Sequence, residues 1–505
     1  MKPCLLTHTR ARTHRPHHPA IAVALATLTV ATLLLTACAS STDTTPTAPT
    51  APTDLTATPG DTQAEISFTP GHDGGSPLTN HAYSLDDGAT WTDFSPPVTT
   101  SPATITGLAN GTTYTVRLRA VNATGAGAAS AGTVVTPNRP FTVIGAGGGF
   151  SAALEQDGSA WAWGFGGNGR LGTGNDDTVP TPRRLRTPVD TVFVRVDVGG
   201  SHSLAIDQNG APWAWGYGQY GQLGLGEETT SPPAPISMPS NAPLTSISAG
   251  GLVSAGIDGS GRGWAWGYGL TGALGNGSND SADTPQRVSM PVDTTFTTIS
   301  AGTSYVLAID QRGAAWAWGS GISGTLGNRS SENANTPQRV VMPTNTTFTA
   351  VSAGFQHSLA IDQDGAGWAW GHAGFGRLGI GSTTRTTYIT PQRIVMPPNT
   401  TFVSISAGMN HSLALDDRGN AWAWGNGTSG QLGNGSSTNA DTPQPVSMPT
   451  NTIFVSLKAG SNHVLALDAL GTGWVWGANG NGTLGTGSEG SIVVPTRILR
   501  DVTPL

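Results

Sequence analysis

Short runs of alternating apolar and polar residues occupy most of the chain, and turn-forming residues break them every few positions. One unit near the middle shows the arrangement. Phe348 to Gly354 alternates and ends in a turn, and His357 to Asp362 is a second run. Asp362-x-x-Gly365 is a tight turn, and Gly367-Trp368-Ala369-Trp370-Gly371 is a third run. A loop with Gly376-Arg377-Leu378-Gly379-x-Gly381 leads to a fourth run, Thr390 to Val395. Alternation with period two predicts strands. Pro391 places the fourth strand at a sheet edge, because proline cannot donate to a ladder.

This unit recurs seven times. Trp-x-Trp-Gly occurs as Trp161/Trp163, Trp213/Trp215, Trp264/Trp266, Trp316/Trp318, Trp368/Trp370, Trp422/Trp424 and Trp474/Trp476, at intervals of 51 to 54 residues. Four short strands per unit, repeated radially, predict an all-β fold: a seven-bladed propeller over residues 141–505. In Trp368-Ala369-Trp370 and Leu359-Ala360-Ile361, large and small residues alternate. This predicts one bulky and one small-residue face per sheet, the bulky face packing on the small face of the next blade. The 14 tryptophans are therefore assigned to structure.

The units resemble the repeats of the regulator of chromosome condensation family. The resemblance is carried by Ala407-Gly408-x-x-His411-Ser412-Leu413-Ala414-Leu415, then Gly419 to Trp424-Gly425, then Gly430-Gln431-Leu432-Gly433-x-Gly435, then Pro443. It implies the seven-bladed fold. Nuclear members stimulate nucleotide exchange on a small GTPase through an inserted hairpin wedge. Repeats of 51 to 54 residues leave no room for that wedge, so no small GTPase partner is expected.

Residues 52–137 alternate as well, in Ala64 to Phe68 and in Thr113 to Val121, which suits a β-sandwich. Pro52-x-x-Leu55, Leu108-x-Asn110-Gly111-Thr112-x-Tyr114, Val116-x-Leu118-x-Ala120-x-Asn122 and Gly125-x-Gly127 resemble a fibronectin type III domain, with Phe68 where members often place Trp.

The N-terminus has a different character. Residues 1–19 carry positive charge, Ala20 to Leu35 is an apolar run, and Leu35-Thr36-Ala37-Cys38 follows. Sixteen apolar residues are short for a membrane span but suit a signal peptide. The ending resembles a bacterial lipobox, which implies cleavage after residue 37 and lipidation of Cys38. Residues 38–51, rich in Ser, Thr, Pro and Ala, read as a flexible spacer. The expected localisation is export, with lipid anchoring to the bacterial cell envelope outside the cytoplasm. Removing residues 1–37 takes away four basic residues and no acidic one. It leaves 20 basic against 31 acidic residues, a net charge of −11. That balance excludes a nucleic-acid partner bound through a basic footprint.

Several motifs invite a chemical reading. Gly164-Phe165-Gly166-Gly167-Asn168-Gly169 spells the dinucleotide fingerprint, but Leu-Gly-x-Gly follows where a helix must start. His202, His357, His411 and His463 share one repeat position with Phe150, Val253 and Tyr305, which a metal ligand could not do. Asp207, Asp310, Asp362, Asp416 and Asp468 open turns. No cofactor, metal or catalytic set is therefore expected. After Trp-x-Trp-Gly, however, some units carry aromatic residues: Phe165, Tyr217 with Tyr220, Tyr268, and Phe375 beside His372. They form the candidate binding patch, with its centre on blades one to three. The loops Asn276 to Asp283 and Asn328 to Asn335 are a second candidate surface. Their acids lack a recognised calcium spacing. These features predict a non-catalytic surface scaffold for an extracellular protein or glycan. An inhibitor of an extracellular enzyme such as a β-lactamase, and a polysaccharide-acting enzyme, are the alternatives.

Overall fold

The structure, a computed structural model, describes residues 45–226, 229–239, 243–384 and 386–499. The predicted signal peptide and Cys38 lie outside the described residues. Strands dominate. Among the described residues, no helix is long and apolar enough to cross a membrane.

Residues 53–135 form a sandwich. One sheet pairs Thr53–Gly60, Gln63–Thr69 and Ala103–Thr106; the other is built around Leu78–Ser84 and Tyr114–Asn122. Ile66, Phe68, Ile105, Val116 and Leu118 meet between them, each within 6 % of complete burial. The Tyr114 hydroxyl accepts the Ala109 N–H at 3.0 Å, which forms a tyrosine corner. Phe68 meets the His81 ring edge-on at 4.9 Å. The expected spacer, 38–51, is not free throughout. Thr47 and Thr50 donate their N–H groups to Gly74 and His72, and Pro49 is buried. Their backbone groups find partners on the sandwich instead of in water.

Seven four-stranded antiparallel sheets follow, each built from one continuous stretch of chain. The first blade is Phe141–Ala146, Phe150–Glu155, Ala160–Gly164 and Val179–Arg184. The seventh is Phe454–Ala459, His463–Asp468, Gly473–Gly477 and Ile492–Arg497. In the fifth blade the outer strand is Thr387–Arg393, so it begins three residues before the expected Thr390. The first strand of every blade lies innermost, and these strands touch in succession, the last against the first. No strand is exchanged where the ring closes. Side chains link the inner strands: Ser248, Ser300, Ser352 and Ser406 each accept a backbone N–H from the next blade at 2.9 to 3.0 Å.

The packing corrects the expected division into a bulky and a small face. Ladder register sets Trp368 opposite Ala360 and Trp370 opposite Ser358, whereas Leu359 faces Ala369 and Ile361 faces Gly367. The other blades repeat the mixture. Trp215 stands opposite Ser203 and Trp266 opposite Ser254, while Trp318 stands opposite Val306 and Trp476 opposite Val464. Each face therefore mixes large and small residues, because adjacent strands alternate out of phase. The Leu/Ile face of one blade packs on the Trp face of the next. Leu307, Ile309 and Ala317 meet Phe348, Trp368 and Trp370. At ring closure Leu465, Leu467 and Val475 meet Phe141 and Trp163 in the same way.

The second tryptophan of every pair, Trp163, Trp215, Trp266, Trp318, Trp370, Trp424 and Trp476, is completely buried and offers no surface to a ligand. Four of them also bond to the preceding blade. Trp318, Trp370, Trp424 and Trp476 donate Nε1 to the carbonyls of Ala273, Thr325, Arg377 and Gln431 at 2.8 to 3.1 Å. Among the described residues, Nε1 of Trp163, Trp215 and Trp266 makes no such bond, so packing alone holds these three indoles.

The repeated glycines follow from this packing. Gly379 has φ +69°, and a β-carbon there would stand 2.8 Å from Nε1 of Trp424 in the next blade. Each blade's Leu-Gly supplies the flat floor on which the neighbour's indole lies. The first tryptophan of a pair is held within its own blade. Trp368 Nε1 donates to Asp362 Oδ2 at 2.8 Å, and Asp362 Oδ1 accepts the N–H groups of Asp364 and Ala366. Asp207, Asp258, Asp310, Asp416 and Asp468 hold the corresponding tryptophans likewise. The turn aspartates thus have a second task that the turn motif alone does not reveal.

Candidate binding face

The loops between the first and second strands, and between the third and fourth, emerge on one face of the ring. The former surround the mouth of the central channel, lined by pairs such as Gly147-Gly148, Gly199-Gly200 and Gly250-Gly251. Gly148 donates its N–H to Gly199, Gly200 to Gly250, Gly251 to Gly302, and Ser461 to Gly147, each at 3.0 Å. This belt of backbone bonds holds the mouth, and the aromatic loops lie beside it. Phe165, Tyr217, Tyr268 and His372 donate their backbone N–H groups to Gly149, Ser201, Leu252 and Gln356 of the mouth loops.

Only some of the expected patch residues come together. Tyr217 meets Tyr220 at 6.3 Å, and Tyr220 meets Tyr268 at 5.6 Å, both edge-on. Edge-on rings at this spacing support one another's positions. The Tyr217 hydroxyl bonds Gln219 Oε1. Tyr220 is exposed, whereas Tyr217 and Tyr268 are half-buried. Phe165 stands apart over the Arg170 guanidinium at 4.6 Å, and Phe375 over Arg377 at 5.5 Å. Both arginines are buried, and their Nε groups donate to Gly167 and Gly374. Burial also pulls Arg377 down to about 10. The His372 ring lies above Gly374 and accepts its N–H at 3.1 Å. The His372–Phe375 pair is thus a separate feature of blade five.

Two residues of this face were missed. Leu270 is 63 % exposed and Ile322 62 %. They occupy the loop position held by Gly167, Gln219, Gly374, Thr428 and Gly480 in other blades. An apolar side chain at a position that is otherwise small or polar was the available signal. With them, the apolar arc runs from Tyr217 on blade two to Ile322 on blade four.

The glycines of the fingerprint-like loop serve close packing of its own backbone. A β-carbon on Gly166 would stand 1.8 Å from the Asp177 carbonyl oxygen, and the same crowding recurs at Gly269 against Asp280. These glycines exist because the loop folds back over them. The row of histidines is internal. His202, His357 and His463 pair through Nε2 with Ser254, Ser412 and Ser151 of the following blade at 2.8 to 3.1 Å. Burial lowers His202 and His463 to about 3 and His411 to about 4, so all stay neutral at pH 7. Among the described residues, no group of three or more His, Cys, Asp or Glu side chains could hold a metal.

Comparison with known proteins agrees with this architecture. A model of the RCC1-like domain matches residues 282–504, and one of the regulator of chromosome condensation (RCC1) repeat matches 157–206 and 209–257. The fibronectin type III domain matches residues 50–136. The Arabidopsis thaliana ultraviolet-B receptor UVR8 is 28 % identical over 358 residues, 70 % of this chain and 81 % of that protein. Human E3 ubiquitin-protein ligase HERC2 is 32 % identical over 320 residues, 62 % of this chain but only 7 % of the ligase. Among solved structures, Prp20p from Saccharomyces cerevisiae superposes with a TM-score of 0.63 at 24 % identity, covering 72 % of this chain and 87 % of that one. Human WBSCR16 gives 0.61 at 20 %, covering 67 % and 89 %.

Proposed function

On the premise that this chain carries RCC1 repeats folded as a propeller behind a fibronectin type III domain, we propose that it is a non-catalytic scaffold that binds a protein partner. The partner sits on the channel-mouth face, and the scaffold is exported and held at the cell envelope through a lipid on Cys38.

One observation carries the binding reading. Tyr217, Tyr220 and Tyr268 form a continuous, partly exposed set of rings, and Leu270 and Ile322 are exposed on the matching loops of blades three and four. Tyrosines fixed by neighbours lose little entropy on binding and are frequent interface anchors. A protein of this fold, yeast Prp20, has been seen in a complex with another protein, Kap60. The charge run, apolar run and Leu-Thr-Ala-Cys at the N-terminus support the anchoring.

Cross-linked capture from intact cells, followed by mass spectrometry, identifies the partner. Replacing Tyr217, Tyr220 and Tyr268 together by Ala is expected to weaken its binding at least tenfold, whereas Phe375→Ala has little effect. Unchanged capture by the triple variant refutes the tyrosine arc. Adding the captured partner to an activity assay separates a plain scaffold from an enzyme inhibitor. A Cys38→Ala variant is expected to leave the membrane fraction; continued membrane partitioning refutes the anchor.

A further inference from the structure

Beside the arc, the loops Asn276 to Asp283 of blade three and Asn328 to Asn335 of blade four enclose a pocket of about 500 Å³. This is the size range of small-ligand sites. Leu270, Asn279, Asn328, Glu332, Asn333 and Gln338 line it.

Three of the lining amides are oriented by hydrogen bonds within blade four. Asn333 Oδ1 accepts the Gly321 N–H at 3.1 Å, so its amide NH₂ remains as a donor. Asn328 Oδ1 accepts the Ser330 N–H at 3.1 Å and keeps its NH₂ likewise. Gln338 donates to the Thr336 carbonyl at 3.2 Å, so its oxygen is left as an acceptor. The Asn279 amide has no partner among the described residues. Across the blade junction, Gly277 and Asn335 bond each other twice, at 2.8 and 3.0 Å, which sets the two loops in register.

We infer that this pocket binds a neutral sugar residue of a glycan. A sugar hydroxyl both donates and accepts, and it needs donors and acceptors interleaved at short range, which amide side chains supply. The Glu332 carboxylate accepts from two adjacent hydroxyls. The Leu270 side chain, 63 % exposed, offers an apolar surface to the C–H face of the ring. A peptide anchor would need a deeper apolar hollow than one leucine provides. The only charge on the lining is the negative one of Glu332, which disfavours acidic sugars. The site shares Leu270 with the arc proposed for the protein partner, but its amides and Glu332 belong to the pocket and not to that arc.

The test uses the full-length protein, titrated by calorimetry and followed by saturation-transfer NMR. The probes are maltotriose, cellotriose, mannotriose and N-acetylchitotriose, with trigalacturonate as the acidic counterpart. At least one neutral trisaccharide is expected to bind saturably, and better than trigalacturonate. An Asn279→Ala/Gln338→Ala variant with an unchanged melting temperature is expected to lose affinity at least tenfold. A Tyr217→Ala/Tyr220→Ala variant is expected to keep it. Absence of neutral-sugar binding, preference for the acidic probe, or loss that follows the tyrosines instead of the amides overturns the assignment. So does loss of a protein partner in the amide variant with sugar binding unaffected.

Discussion

The buried row formed by Phe150, His202, Val253, Tyr305, His357, His411 and His463 shows how single residues are matched across blades. Four of them bond the side chain one place further on in the following blade. Ser254, Ser358, Ser412 and Ser151 partner His202, Tyr305, His357 and His463. Val253 stands where the next blade has Val306. His411 is the mismatch: the next blade supplies Val464, and both ring nitrogens are buried without a partner. An unmade buried hydrogen bond costs about 1–3 kcal/mol. Val464→Ser is therefore expected to stabilise the protein by about 1 kcal/mol, read as a raised denaturation midpoint. The same row predicts acid sensitivity. The four imidazoles titrate below their ordinary 6.5 in the fold, so below pH 6.5 the unfolded chain takes up protons that the folded one refuses. Above pH 7 the histidines are neutral in both states and contribute no pH dependence. It falls as pH drops from 6.5 towards 4, by about 1 kcal/mol per histidine per pH unit. Replacing His411 by Phe, the residue at the blade-one position, is expected to flatten this slope in melts at pH 7 and pH 5.

Within a blade, the second tryptophan and the glycine floor of the preceding blade act as one device. Trp370 is fully buried, and its Nε1 donates to the Thr325 carbonyl of blade four at 2.8 Å. Trp370→Ala removes the ring and leaves a cavity. The expected loss is about 3–5 kcal/mol, measured as a lower denaturant midpoint. Gly379→Ala acts from the other side. It places a methyl against Trp424 and requires a positive φ from a residue that disfavours it. A loss of at least about 1 kcal/mol is expected, together with a change in tryptophan fluorescence, since the indole must shift.

For the whole molecule, the blade-seven-to-blade-one contact repeats the chemistry of the other six, without an exchanged strand. Closure therefore rests on side-chain packing and on hydrogen bonds between the two blades, such as Ser461 N–H to Gly147 and Ser151 to His463. Truncation before Phe454 removes the seventh blade and exposes Phe141 and Trp163 on one side and Leu413, Leu415 and Ala423 on the other. Such a chain is expected to lose cooperative unfolding and to be cut rapidly by protease under conditions where the intact ring resists. Equal protease resistance would mean that six blades close by themselves.

The seven units, the four strands of each and the sandwich ahead of them were legible in the sequence. Period-two alternation and a repeat near 52 residues are local facts, and a strand's faces follow from its own residues. The structural role of the tryptophans and of the histidine row was legible for the same reason. What the sequence left undecided depends on register between strands and on contacts between blades. Cross-strand phase decided that every face mixes large and small residues. Inter-blade approach decided why glycine recurs beneath each indole, and which histidine lacks its serine. The tyrosines could be named from their positions, but only the tertiary structure joined Tyr217, Tyr220 and Tyr268, set Phe165 and Phe375 apart on their arginines, and added Leu270 and Ile322. Residues some 50 apart in sequence become neighbours only when the ring closes, and side-chain spacing along one strand carries no record of that distance.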